Sequence, residues 1–89
     1  MLNPFYTNQF KRDYKLQQKR HNDLRLLDNV IKMLVKEEQL PAKNRDHSLQ
    51  GDYKGYKECH IESDWLLIYK VEADSIYFVR TGTHSDLFK

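Results

Sequence analysis

Apolar residues recur every third or fourth position over roughly the first forty residues and every second position after about Lys54, so a helical half precedes an extended half. Leu2 to Tyr6 reads as a short edge strand. Thr7 is placed to N-cap a helix running to about Arg20, with Tyr6, Phe10 and Tyr14 at spacing four and Lys11, Lys15 and Lys19 on a neighbouring stripe. His21 and Asn22 break the pattern. A second helix from about Asp23 to Glu38 collects Leu24, Leu27, Val30, Ile31, Leu34 and Val35 on one face, and Arg25, Lys32 and Lys36 on the other. Pro41 then stops helical continuation, and Leu40 to Asp46 reads as a connecting loop.

Strands are expected at about Lys54 to Ile61, Trp65 to Val71 and Ser75 to Thr81, where aromatic and β-branched residues cluster. Glu62-Ser63-Asp64 and Glu72-Ala73-Asp74 are short enough to make consecutive antiparallel hairpins. Trp65-Leu66-Leu67-Ile68-Tyr69 is apolar on both alternating sets, which predicts a central strand covered by helices on at least one face. The expected fold is α+β, two N-terminal helices packed on a small antiparallel β-sheet, with residues 1 to 89 as one domain.

Composition sharpens this picture in three ways. With 39% hydrophobic and 31% charged residues the chain is expected to fold as a soluble unit with a modest core and no large internal cavity. No run is apolar enough for a membrane span, and one cysteine, Cys59, cannot form an intramolecular disulfide, so a reducing cytoplasmic setting is expected. The net charge of +2 hides an asymmetry: residues 1 to 46 carry ten Lys/Arg against six Asp/Glu, and residues 47 to 89 carry five against seven. The basic helical half therefore suits either a polyanion or plain solvent.

The acidic half holds the transferable protons. Three of the four histidines lie there, as His47, His60 and His84, together with Asp64 and Arg80, and imidazole is the side chain suited to moving protons near neutral pH. Hairpin topology brings His60, Asp64, Trp65 and Arg80 to one end of the sheet, and His84, four residues past Arg80, can fold back over it. Each has a plainer reading. His47 is either a phosphate contact or an exposed turn residue; His60 either a ligand-facing group or a satisfied core histidine; Asp64 either a base or a turn former. Arg80 interrupts Ile76-Tyr77-Phe78-Val79, where a guanidinium must find an anion or face water. Trp65 is favoured as core, Tyr53 and Tyr56 stay open between core and base stacking, Cys59 should be buried on the face opposite His60, and His21 should cap the helix junction. The spacings of 13, 4 and 20 residues between His47, His60, Asp64 and His84 match no compact zinc signature, and Arg80 would oppose a cation, so neither metal nor cofactor is expected.

The segments Asp46-His47-Ser48-Leu49-Gln50-Gly51, Lys54-Gly55-Tyr56 through Tyr69, and Arg80-Thr81-Gly82-Thr83-His84-Ser85-Asp86-Leu87-Phe88 closely resemble the YafQ branch of the RelE-type toxins. Ser48 and Ser63 depart from it, standing where relatives often carry proline. The resemblance implies a toxin of a type II toxin-antitoxin module that cleaves messenger RNA in the ribosomal A site and is silenced by a cognate antitoxin. Operator DNA would be met only through that antitoxin. It also implies that His47, His60, Asp64, Trp65, Arg80, His84 and Phe88 form the site. The expected reaction is metal-independent attack of a ribose 2′-hydroxyl on the adjacent phosphate, leaving a 2′,3′-cyclic phosphate and a 5′-hydroxyl. Within it Arg80 takes the charge, His84 acts as acid and Asp64 as base, His47 and His60 hold or share protons, and Phe88 either stacks on a base or positions the C-terminal segment. Lys11, Lys15, Lys19, Arg25, Lys32 and Lys36 are expected to grip ribosomal RNA. A non-catalytic co-repressor on operator DNA and a ribosome-independent nuclease are the competing functions.

Overall fold

The computed structural model describes residues 1–88. Its elements run β1 (Asn3–Tyr6), α1 (Asn8–Lys19), α2 (Leu24–Val35), β2 (His47–Ser48), β3 (Lys57–Glu62), β4 (Trp65–Glu72), β5 (Ser75–Gly82) and α3 (His84–Leu87). The five strands form one sheet in the order β1-β5-β4-β3-β2. The α+β class stands, but the sheet is mixed. β1 pairs parallel with β5, Asn3 opposite Ser75 through Tyr6 opposite Phe78, whereas β2-β3, β3-β4 and β4-β5 are antiparallel. The parallel pair is possible because α1 and all that follows it intervene between the two strands.

Both helices start where the sequence says. Thr7 Oγ1 accepts from the Phe10 amide at 3.0 Å and donates to the Val79 carbonyl at 2.9 Å, so one hydroxyl caps α1 and ties it to β5. Asp23 caps α2 through the Arg25 amide. Both helices end in a left-handed residue. After α1 the amides of His21 and Asn22 reach back to the Gln18 and Gln17 carbonyls, with His21 at φ 62°; after α2 those of Glu37 and Glu38 reach the Leu34 and Met33 carbonyls, with Glu37 at φ 61°. Thus α2 ends at Val35 and not near Glu38: the chain has already turned out of the helix before Pro41 can act.

The sheet separates two apolar layers. On the helix-covered face, Phe10, Leu27, Val30, Ile31 and Leu34 pack against Cys59, Leu67, Tyr69, Ile76 and Phe78. On the other face a smaller cluster of Leu66, Ile68 and Leu87 is flanked by Leu49, Tyr53, Tyr56 and Val79. β4 is central, with Trp65 through Tyr69 all buried. No helix among the described residues is long and apolar enough to cross a membrane.

Candidate active site

Sheet pairing decides which side chains share the thinly covered face. His47 lies opposite Glu58, Glu58 opposite Ile68, His60 opposite Leu66, and Arg80 opposite Ile68, so these four share the sheet face of Leu66 and Ile68, from which the Arg80 guanidinium reaches to Asp13 of α1. A register shift between Ile68 and Tyr69 pairs Ile68 with Arg80 but Tyr69 with Phe78, leaving Val79 as the extra residue. Without that bulge Phe78 and Arg80 would sit on one face. With it, Phe78 enters the core and Arg80 faces the site.

α3 delivers the last imidazole. Thr83 caps it, with Thr83 Oγ1 accepting from the Asp86 amide and Asp86 accepting from the Thr83 amide. Arg20, at the end of α1, clamps the same carboxylate with contacts of 2.6 and 3.1 Å, and these donors hold Asp86 well below the usual carboxylate range. Gly82 makes the approach possible: a Cβ there would meet Asp86 Oδ2 at 2.8 Å. His84 is thereby fixed over the strand ends.

The imidazoles are neighbours, with His60 next to each of the other two. His47 and His60 have ring centroids 6.4 Å apart, and His60 and His84 5.8 Å. Asp64 Oδ1 accepts from the His84 amide at 2.9 Å and from His84 Nδ1 at 2.7 Å; a carboxylate can only accept, so Nδ1 carries the proton and Nε2 points onward. The two bonds from His84 lower the Asp64 pKa. Both bonds favour the ionised carboxylate, which weakens it as a proton acceptor, and the same geometry orients the His84 ring. His47 Nδ1 donates to the Arg45 carbonyl at 2.6 Å, again leaving Nε2 for other work.

Three carboxylates that the sequence reading passed over support these groups. Glu58, only 5% exposed, sets Oε1 3.4 Å from His47 Nε2 and 3.7 Å from His60 Nε2, a buried anion between two imidazoles. Asp13, equally buried on α1, accepts from Arg80 Nε at 2.8 Å, Arg80 Nη2 at 3.2 Å and the Thr81 amide at 3.2 Å. Arg80 thus takes two donors to Asp13, and among the described residues Nη1 makes no hydrogen bond. Asp86 is the third. Asp46 acts one step further out, accepting from the Tyr69 hydroxyl and from Lys57 Nζ beside the short strand that carries His47.

Other expectations move. Trp65 is buried in the helix-side core, with Nε1 donating to Thr81 Oγ1 at 3.0 Å, so its ring is not presented to a substrate as the resemblance implied. Phe88 is exposed and meets Tyr53 edge-on with centroids 5.6 Å apart. Cys59 is fully buried opposite Leu67, away from His60, and burial pushes its thiol up to about 12. Lys11, Lys15 and Lys32 rim a groove of about 600 Å³ floored by Tyr6, Phe10, Tyr14 and Ile31, on the helical side of the molecule. Lys19 and Lys36 are exposed, whereas Arg25 is held by Asp23 at 3.0 Å. No cluster of three or more His, Cys, Asp or Glu side chains with metal-binding geometry occurs among the described residues.

Residues 2–89 match the family model described as the bacterial toxin of the type II toxin-antitoxin system, YafQ. The mRNA interferase toxin YafQ of Escherichia coli strain K12 is 46% identical over 84 residues, covering 93% of this chain and 91% of the relative. The crystal structure of YafQ from E. coli strain BL21(DE3) superposes with a TM-score of 0.95 at 42% identity, covering all of both chains. YafQ in the E. coli DinJ-YafQ complex gives 0.94 at 43%, again over both whole chains.

Proposed function

This chain belongs to the YafQ family of type II toxin-antitoxin toxins, and on that premise we propose that it is an mRNA endoribonuclease acting on the ribosome. The observation that carries the reading is the chain of neighbouring imidazoles His47, His60 and His84 on the sheet face that also bears Arg80, opposite Ile68.

The required steps fit the groups available. His60, flanked by Glu58 and set 5.8 Å from His84, takes the 2′-hydroxyl proton as the oxygen bonds to phosphorus. Arg80, its planar fork held by Asp13, offers Nη1 to the phosphorane oxygens. His84 donates from Nε2 to the departing 5′-oxygen, and Asp64 on Nδ1 steadies the imidazolium that does so. The phosphorus to 5′-oxygen bond breaks, giving a 2′,3′-cyclic phosphate and a 5′-hydroxyl. Each role falls to a side chain of this chain.

The exposed Lys11, Lys15, Lys19, Lys32 and Lys36 are the groups we expect to meet ribosomal RNA and supply affinity. A cognate antitoxin, as in the E. coli DinJ-YafQ complex, is the expected protein partner. Primer extension on mRNA with and without ribosomes, comparing wild type with His84→Ala, tests the reading. Ribosome-dependent cuts that fall at least 100-fold in the variant are expected. Equal cutting of naked RNA, or no cutting by wild type, would replace it with a free nuclease or a non-catalytic partner.

A further inference from the structure

Beside α3 lies a cleft of about 450 Å³ lined by Leu49, Gln50, Asp52, Tyr53, Leu87 and Phe88. The mechanism above uses none of these side chains, though the family resemblance implies a substrate contact for Phe88. Tyr53 and Phe88 stand at 80° with centroids 5.6 Å apart, two aromatic walls of a right-angled corner. Tyr56 braces Tyr53 from behind, edge to face at 6.1 Å. Such a corner lets a flat ring stack on one wall while its edge meets the other. Gly51 at φ 67° turns the chain into the short helical turn Gly51–Tyr53, setting Gln50 and Asp52 on the rim.

The position of the corner gives its meaning. The Phe88 amide donates to the His84 carbonyl at 2.8 Å, so Phe88 sits one helical turn beyond the imidazole. On the other wall, Tyr53 packs on the cluster of Leu66, Ile68 and Leu87, and Ile68 is the residue opposite Arg80. A group that protonates the leaving 5′-oxygen touches the nucleotide on the 3′ side of the cut, because that oxygen belongs to its ribose. The base of that nucleotide is therefore the one within reach.

We propose that the Tyr53-Phe88 corner is a subsite for an unstacked base immediately 3′ of the scissile phosphate. Asp52 on its rim favours bases with an exocyclic amino group over uracil. This rests on the nuclease reading and adds its specificity. The carboxylate can only accept, so it pairs with an amino donor and repels a carbonyl oxygen at the same edge. Aromatic stacking supplies affinity for any base.

The test uses 70S ribosomes programmed with a reporter mRNA randomised around the cut, with fragment sequencing and single-codon kinetics. Tyr53→Ala is expected to raise KM about tenfold, leave kcat within about twofold and flatten base preference only at the 3′ position. Tyr53→Phe should retain the wild-type profile. Asp52→Asn, at an exposed position, should relax discrimination against uracil there without changing thermal stability. An unchanged profile in both Tyr53→Ala and Asp52→Asn, or a loss confined to kcat and stability, overturns the subsite while cleavage by wild type leaves the nuclease reading intact. Wild type that cuts no mRNA removes both.

Discussion

Glu58 looks in sequence like an ordinary strand carboxylate, yet its side chain is buried between His47 and His60, where a negative charge can be kept only by partners. Glu58→Gln preserves the volume and removes the charge. Cleavage on ribosomes is expected to fall about tenfold with thermal stability little changed, as measured by single-turnover kinetics beside a melting curve. Asp86 carries a different prediction. Its folded-state pKa is depressed by Arg20 and the Thr83 bonds, so its stabilisation is present above the unfolded carboxylate pKa of about 4 and is lost as pH falls through the lower folded value. Because Arg20 is partly solvent-screened, Asp86→Asn should cost about 1 kcal/mol at neutral pH, some 4–8 °C in Tm. Melting curves from pH 7 down to pH 2 should show the gap to wild type constant at first and closing below about pH 4. A gap that widens in acid would refute the assignment.

The helices were legible because their signals are local. Thr7 and Asp23 cap within three residues of themselves, and the Phe10, Leu27, Val30, Ile31 and Leu34 spacing needs only a helical period. The apolar run from Trp65 to Tyr69 likewise announced the central strand. Illegible features depend on partners far away in the chain. β1 pairs parallel with a strand some seventy residues later, the Val79 bulge answers to β4, and Asp13 meets Arg80 across 67 positions. A buried carboxylate whose counterion is remote looks like surface in sequence. Trp65 was legible from its residue type, and its burial in the core agrees with that reading over the site role that the resemblance implied. His21 was read as a junction cap, and its positive φ gives that a test. A left-handed backbone strains a residue with a Cβ, so His21→Gly should stabilise the protein by about 0.5 kcal/mol, measured by urea unfolding, with cleavage unchanged. Destabilisation would mean that the imidazole makes a contact worth more than the strain.

As a whole the molecule divides its labour between two faces of one sheet. The helical side buries the larger core and carries Lys11, Lys15 and Lys32; the opposite side holds His47, His60 and His84. Under the proposed function, ribosome binding and chemistry are therefore separable. Neutralising Lys11, Lys15 and Lys32 to Gln should raise KM on ribosomes severalfold and flatten its salt dependence, while the single-turnover rate at saturation stays near wild type. A fall in the saturated rate alone would place these side chains in the chemistry instead. The central claim is that the neighbouring imidazoles and Arg80 drive attack by the ribose 2′-hydroxyl. End-group analysis of mRNA fragments from purified 70S ribosomes tests it most directly. The account predicts a 5′-hydroxyl that accepts phosphate from polynucleotide kinase without prior phosphatase, opposite a 2′,3′-cyclic phosphate, and the loss of both in His84→Ala. Fragments bearing a 5′-phosphate would contradict it.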